Sequence, residues 1–276
     1  MESLTAKAYR LRQHVVDIVM AGKGGHIGGD MSVIDILVTL YFDQMNISPE
    51  NRNDPNRDLF VLSKGHSVEA LYAVLAEKGF FPYEEVLAQF SRYGSKYIGH
   101  PNNKLPGIEM NSGSLGHGLP VAIGMALASR MDQRTNRVYT VMGDGELAEG
   151  SVWEGAMAAG HYRLDNLCAV IDRNRLQISG STETVMAHDD QCARWASFGW
   201  HTIQVDGNSI PALHDAFEEA KATRGKPTVI IACTTKGCGS KVMENKANWH
   251  HKVPTQEEYA QIMADLKARE EAAAHE

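Results

Sequence analysis

Five short runs rich in apolar and β-branched residues constrain the fold most strongly: Leu59 to Leu62, Val138 to Met142, Leu167 to Ile171, Thr202 to Val205 and Thr228 to Thr234. Each is separated from the next by a long segment whose apolar residues recur at helical spacing. Antiparallel neighbours can be joined by a tight turn, but strands held this far apart by helices need crossover connections, which join parallel strands. The pattern predicts an α/β fold with a doubly wound, mostly parallel sheet and helices on both faces. In such a sheet ligands bind beyond the carboxyl ends of the strands.

The chain has 276 residues, 43% hydrophobic and 22% charged, enough apolar material for one large domain over residues 1–276. After Ser3, the spacing of Leu4, Ala8, Leu11, Val15, Ile18 and Val19 predicts a capped amphipathic helix. Five glycines between Gly22 and Gly29 then predict a tight loop presenting His26, with Ser32 opening the next helix through Ile34, Leu37, Leu40 and Tyr41. Residues 256–276 shift to a Glu-, Lys- and Ala-rich composition, predicting a helical tail with a frayed end.

Several function classes are excluded at this level. No apolar leader follows Met1 and no stretch approaches 18 uninterrupted apolar residues, so the expected location is cytoplasmic, with no membrane association. Cys168, Cys192, Cys233 and Cys238 form no CxxC pair, which fits reduced thiols rather than a disulfide frame or zinc site. A formal net charge of −7 argues against nucleic acid as a partner.

The most informative stretch is the apolar run from Val138 that enters Gly143-Asp144-Gly145-Glu146, with Asn174 following the next apolar run. An isolated Gly-Asp-Gly after a strand is usually a plain turn. With the spaced asparagine, however, both groups reach carboxyl ends of strands. A carboxylate and an amide oxygen are hard ligands for Mg²⁺, which takes the rest of its octahedron from phosphate and water. Gly143 and Gly145 let the backbone approach a diphosphate with no Cβ in the way.

GDGELAEG followed by DRNRLQISG resembles the thiamine diphosphate motif of transketolases. The resemblance runs in the family's order from Gly25 to about Pro254. Gly25-His26-Ile27-Gly28-Gly29 resembles the SGHPG loop, Leu62-Ser63-Lys64-Gly65-His66 the LSxGH motif, and Gly99-His100-Pro101 the GHP motif. Gly113-Ser114-Leu115-Gly116-His117-Gly118 resembles GPLGQG. Gly25 stands where the family has Ser, Ser114 where it has Pro, His117 where it has Gln, and His251 where Gly is common.

The resemblance implies the thiamine diphosphate-binding fold of the diphosphate (PP) domain and a specific set of roles. Asp144, the Asn174 side chain and the Leu176 carbonyl would hold Mg²⁺. Gly143, Gly145, His66 and His250 would bind the cofactor's diphosphate, with His66 and His250 also helping in proton transfer. His26 and His100 would hold the hydroxyls of the donor ketose. Gly113, Leu115 and Gly116 would meet the cofactor, with Leu115 on an aromatic ring and free loop N–H groups facing cofactor oxygens. Glu149, as a catalytic group, and Glu154, at the cofactor site, would lie between sites at a subunit interface. A solvated helix face is the plain alternative for Glu154.

The implied activity is transfer of a two-carbon ketol group from a ketose phosphate to an aldose phosphate, with the carbon–carbon chemistry supplied by the cofactor. A complete transketolase is about twice this length, and its second half supplies the glutamate that protonates the cofactor's aminopyrimidine. The expected partner is therefore a C-terminal transketolase subunit with the pyrimidine-binding domain, in an α2β2 heterotetramer. The alpha chain of a thiamine diphosphate-dependent 2-oxoacid dehydrogenase shares Gly-Asp-Gly and the spaced asparagine, but lacks His26, His66 and His100 in this order. A catalytically silent regulatory subunit would leave the sugar-facing histidines without a use.

Overall fold

The computed structural model describes residues 3–188 and 190–275. In chain order the helices and strands are α1 (Leu4–Gly22), α2 (Ile27–Thr39), β1 (Leu59–Leu62), α3 (Val68–Glu77), α4 (Tyr83–Gln89), α5 (Gly118–Met131), β2 (Val138–Gly143) and α6 (Gly150–His161). They continue as β3 (Leu167–Arg173), β4 (Leu176–Gln177), β5 (Gly180–Ser181), α7 (Thr182–Val185), α8 (Gln191–Ser197), β6 (His201–Asp206), α9 (Ile210–Ala222), β7 (Thr228–Cys233) and α10 (Gln256–Ala273).

All five predicted runs become strands of one sheet, in the order β1-β2-β3-β7-β6, and every pairing in it is parallel. Alternate strand residues point to opposite faces and enter separate cores. Tyr139, Val141, Val170 and Ile230 pack with α1, α2, α3 and α9. Val138, Met142, Ala169, Ile171 and Ile231 pack with α5 and α6. This two-sided burial explains why the central strands read as continuous apolar runs. The short antiparallel pair β4–β5 beyond the end of β3 carried no sequence signal.

One expectation is corrected. The helix expected from Ser32 begins at Ile27, so Gly28 and Gly29 lie in its first turn. Their small size serves packing: a Cβ on Gly28 would stand 2.6 Å from the Trp249 carbonyl oxygen, and one on Gly29 3.0 Å from Ser67 Oγ. The C-terminal segment forms the expected helix, and its body docks on α1. Thr255 and Glu258 form a capping box, Ile262 and Leu266 are buried, and Gln13 donates to Glu270 at 2.6 Å. Met1 and Glu276 lie outside the described residues. Among the described residues no helix is long and apolar enough to cross a membrane. All four cysteines are free thiols.

Candidate active site

The carboxyl ends of β1, β2, β3 and β7 deliver Lys64, Asp144, Asn174 and Lys236 to one cavity of about 350 Å³. At its floor, Gly145 N–H donates to Asp144 Oδ1 at 2.8 Å, and Arg175 N–H donates to Asp144 Oδ2. Arg175 has φ 66°, a left-handed conformation that costs a non-glycine residue roughly 1–2 kcal/mol. The turn brings the Asn174 side chain and Leu176 to the same wall as Asp144. Asn174 Oδ1 accepts from Leu176 N–H at 3.2 Å, and the Leu176 carbonyl accepts from Lys236 Nζ at 3.1 Å.

The electrostatics of this corner favour an added cation. Burial, and then the neighbouring Asp172, push the Asp144 carboxyl up to about 6. Asp172 itself is held below the ordinary carboxylate range against strong burial by Lys64, Ser32 and Thr234. A carboxylate, an amide oxygen and a main-chain carbonyl form a hard-oxygen donor set that could hold Mg²⁺. Among the described residues no three His, Cys, Asp or Glu side chains come together as a metal site. An ion here would therefore complete its shell with water or phosphate oxygens, as Mg²⁺ commonly does.

Above this floor the histidines converge. Ring centroids of His26 lie 5.2 Å from His66, 5.6 Å from His250 and 6.2 Å from His100, and His66 is 5.4 Å from His250. Burial, followed by mutual repulsion and the nearby lysines, pushes His26 down to about 4 and His250 to about 3. His66 and His100 are lowered as well, both chiefly by burial. The four imidazoles are thus neutral near pH 7. Lys236 Nζ lies 3.0 Å from His250 Nδ1. A lysine ammonium has only donors, so Nδ1 accepts and the proton of His250 resides on Nε2. Burial and Lys64 push Lys236 itself down to about 8.

His26, His66, Gly113, Leu115, Gly143, Asp144, Gly145, Asn174, Leu176 and His250 all line the cavity. His100 stands behind this lining, where a Cβ on Gly113 would meet its ring at 2.9 Å. Glu149 and Glu154 do not reach the cavity; both are exposed, Glu149 as the residue preceding α6 and Glu154 on its outer face. Gly116 is also outside it. Its N–H donates to Glu146 Oε1 at 2.8 Å and that of Gly118 to Ser63 Oγ at 3.1 Å, so these loop N–H groups are engaged within the chain rather than free for a ligand.

Lys64, Lys236 and Glu146 escaped the sequence reading. Lys64 sits inside the LSKGH motif, which was the available signal, whereas nothing local distinguishes Lys236 from a surface lysine. Glu146 is buried and gathers Ser63 Oγ, Gly116 N–H and Gly143 N–H, which joins the loops at the ends of β1 and β2 to the glycine loop before α5.

Comparison with known proteins decides the family. The sequence profile described as transketolase, thiamine diphosphate binding domain, matches residues 3–271. The chain belongs to the transketolase family. This transketolase domain is 46% identical over 269 residues to one of the subunits of apulose-4-phosphate transketolase from Phocaeicola vulgatus, covering 98% of this chain and 95% of that protein. It is 43% identical over 244 residues to a 6-deoxy-6-sulfo-D-fructose transketolase subunit of a Clostridium species, covering 88% of each. Human transketolase is 40% identical over 276 residues, with 97% of this chain matching 44% of its length. The solved structure of Leishmania mexicana transketolase superposes with a TM-score of 0.88 at 29% identity, covering 100% of this chain and 45% of that one. The transketolase domain thus spans less than half of these longer relatives and nearly all of the P. vulgatus subunit.

Proposed function

We propose that this chain is the thiamine diphosphate-binding subunit of a two-chain transketolase that moves a two-carbon ketol group from a ketose phosphate to an aldose phosphate in cytoplasmic carbohydrate metabolism. The observation that carries the reading is the cavity at the strand ends, where a hard-oxygen corner and neutral histidines face each other across a space lined by two lysines. Neutral imidazoles suit both hydroxyl recognition and proton transfer near pH 7. A 2-oxoacid substrate would give the His26, His66 and His100 cluster no evident task.

Asp144, Asn174 and the Leu176 carbonyl would hold Mg²⁺, and Gly143, Gly145, His66, His250 and Lys236 would surround the diphosphate. Bound thiamine diphosphate would supply the carbanion chemistry that breaks and remakes the carbon–carbon bond. The chain's own part is binding, orientation and proton handling. His250 offers Nε2–H as a donor toward the cavity, and Lys236, partly discharged by burial, can take up a proton as anionic oxygens approach. His26 and His100 would orient the ketose hydroxyls, and Leu115 would provide an apolar wall. Glu149 and Glu154, exposed at the start of α6, suit contact with another subunit better than contact with substrate.

The match to relatives that are themselves transketolase subunits, along nearly their whole length, supports a second polypeptide; in this reading it bears the pyrimidine-binding domain and joins an α2β2 assembly. The test is reconstitution. Purified chain is mixed with a candidate C-terminal subunit, thiamine diphosphate and Mg²⁺, and aldehyde release from ketose phosphates and decarboxylation of 2-oxoacids are followed in parallel. Ketose turnover that requires both chains is expected. Turnover of 2-oxoacids alone would favour a dehydrogenase subunit, and turnover of neither class a silent one.

A further inference from the structure

Every residue of α2 is buried, including its polar ones, and most of these have a partner. Asp35 pairs with Arg12, Ser32 with Asp172, and Thr39 with the Asp35 carbonyl. Asp30 is different. Its Oδ1 accepts from Ala70 N–H at 3.1 Å, but its Oδ2 has no donor. Beside it, at hydrogen-bonding reach, is the carboxyl of Glu69, fully buried and with neither oxygen partnered. His26 Nδ1 and Ser67 Oγ nearby are also buried without partners. Buried polar atoms nearly always find partners, so such a cluster points to a proton or water between them.

Two bare carboxylates cannot share a dry site, whereas a carboxylic acid beside a carboxylate satisfies both with one short bond. Asp30 lies in the first turn of α2 and Glu69 in the first turn of α3, so two helix N-termini favour the single remaining negative charge. The other facing groups do not neutralise the pair. Lys64 is committed to Asp172 and the Gly29 carbonyl, and His66 approaches Gly29 as a neutral ring. Tyr72 donates away to Ile98, and Val19 of α1 brings an apolar methyl to the same place beside Gly25.

We propose that Asp30 and Glu69 share one proton in the folded chain, and that this acid–carboxylate pair is the positioning group for the loop that carries His26. The link to the loop is steric and polar. A Cβ on Gly25 would stand 2.5 Å from Glu69 Oε1 and 2.7 Å from Val19 Cγ2, so the carboxyl lies directly under the backbone that leads into His26. The main-chain N–H groups of Glu69 itself and of His26 face this carboxyl without closing a hydrogen bond and weigh toward its charged form. Glycine at position 25, where the family has serine, is therefore the counterpart of a glutamate at 69. The consequence for catalysis, a fixed His26 toward the ketose, rests on the transketolase reading; the shared proton does not.

The test uses the full chain without cofactor or partner. Its infrared spectrum at neutral pH should contain the C=O stretch of a solvent-shielded carboxylic acid, absent from Glu69→Gln, whose amide can donate in place of the proton. No such band in the wild type, or its persistence in Glu69→Gln, would overturn the shared proton. Retaining a proton that the unfolded chain has released makes folding less favourable as pH rises. The folding equilibrium constant of Glu69→Gln should therefore gain on wild type by about tenfold per unit between about pH 5 and pH 7; a flat ratio would sink the idea. For the positioning role, the His26 imidazole resonances should shift in Glu69→Ala and return in Glu69→Gln. Unmoved resonances in Glu69→Ala would overturn that role. If Glu69→Ala does not fold, the decision falls to the alkaline titration of the wild-type His26 signals: a step is expected in wild type and none in Glu69→Gln, and equal curves would count against positioning.

Discussion

Tyr72 donates its hydroxyl to the main-chain carbonyl of His100 at 3.3 Å and to that of Ile98 at 2.9 Å, tying α3 to the loop that carries His100. The same helix begins just after His66 and places Glu69 under the His26 loop. His66 lies in the turn that leads into α3, and Glu69 and Tyr72 stand three residues apart on that helix, so one stretch of chain underlies the positions of three histidines. Rigid secondary structure beneath its loops is how a site keeps its geometry.

Removing that hydroxyl isolates the effect. Tyr72→Phe keeps the buried ring and should cost about 1 kcal/mol of stability, the ordinary net worth of a neutral hydrogen bond. Because the freed carbonyls belong to the His100 loop, the reconstituted enzyme should show a raised KM for the ketose with little change in cofactor affinity. Urea unfolding together with ketose and cofactor titrations would read both; a cofactor defect larger than the ketose defect would contradict this division.

The floor and the wall of the cavity should also separate. Asp144→Ala should weaken Mg²⁺-dependent thiamine diphosphate binding by about 100-fold or more, since even an outer partner of a metal ligand is worth about 10- to 100-fold. His100→Ala should leave that binding intact and impair use of the ketose. Calorimetric titration of the cofactor with and without Mg²⁺, alongside ketose kinetics, distinguishes them. Two variants indistinguishable from wild type would show that the site is wrongly placed.

The histidine cluster predicts a direction for acid sensitivity. His26 and His250 titrate in the folded chain near 4 and 3, below their ordinary value of 6.5. Below 6.5 the unfolded chain binds more protons, so this stability is fully present above about pH 6.5 and falls as pH drops through about 4 for His26 and toward about 3 for His250. His250→Gln should flatten this decline, by up to about tenfold in the folding equilibrium constant per pH unit. Chemical unfolding at several pH values would measure it, and an unchanged slope would mean that His250 is already charged in the fold.

Much of this architecture was legible in the residues. The central strands announce themselves because burial on both faces leaves no polar alternation, and the strand-end position of Asp144 and Asn174 follows from the parallel order they imply. The start of α2 was not legible, because Gly28 and Gly29 look like loop residues until Trp249 and Ser67 are seen to need their room. Lys64 and Lys236 were hidden for a related reason: lysine reads as solvated, and only the tertiary fold puts both beside buried carboxylates. The exposed Glu149 and Glu154 show the opposite failure, where a family position was legible but its surroundings belong to more than this chain.

The close passage of Trp249 over Gly28 carries a kinetic cost. The two residues come from opposite ends of the sequence, and the parallel strands between them pair only across long stretches of chain. Contacts of such separation form late and slow the search for the native state. A ribosome must therefore release the chain past His250 before His26 and His250 can meet. Until then Gly28 of α2 stands open, without the main chain at Trp249 that covers it in the finished fold.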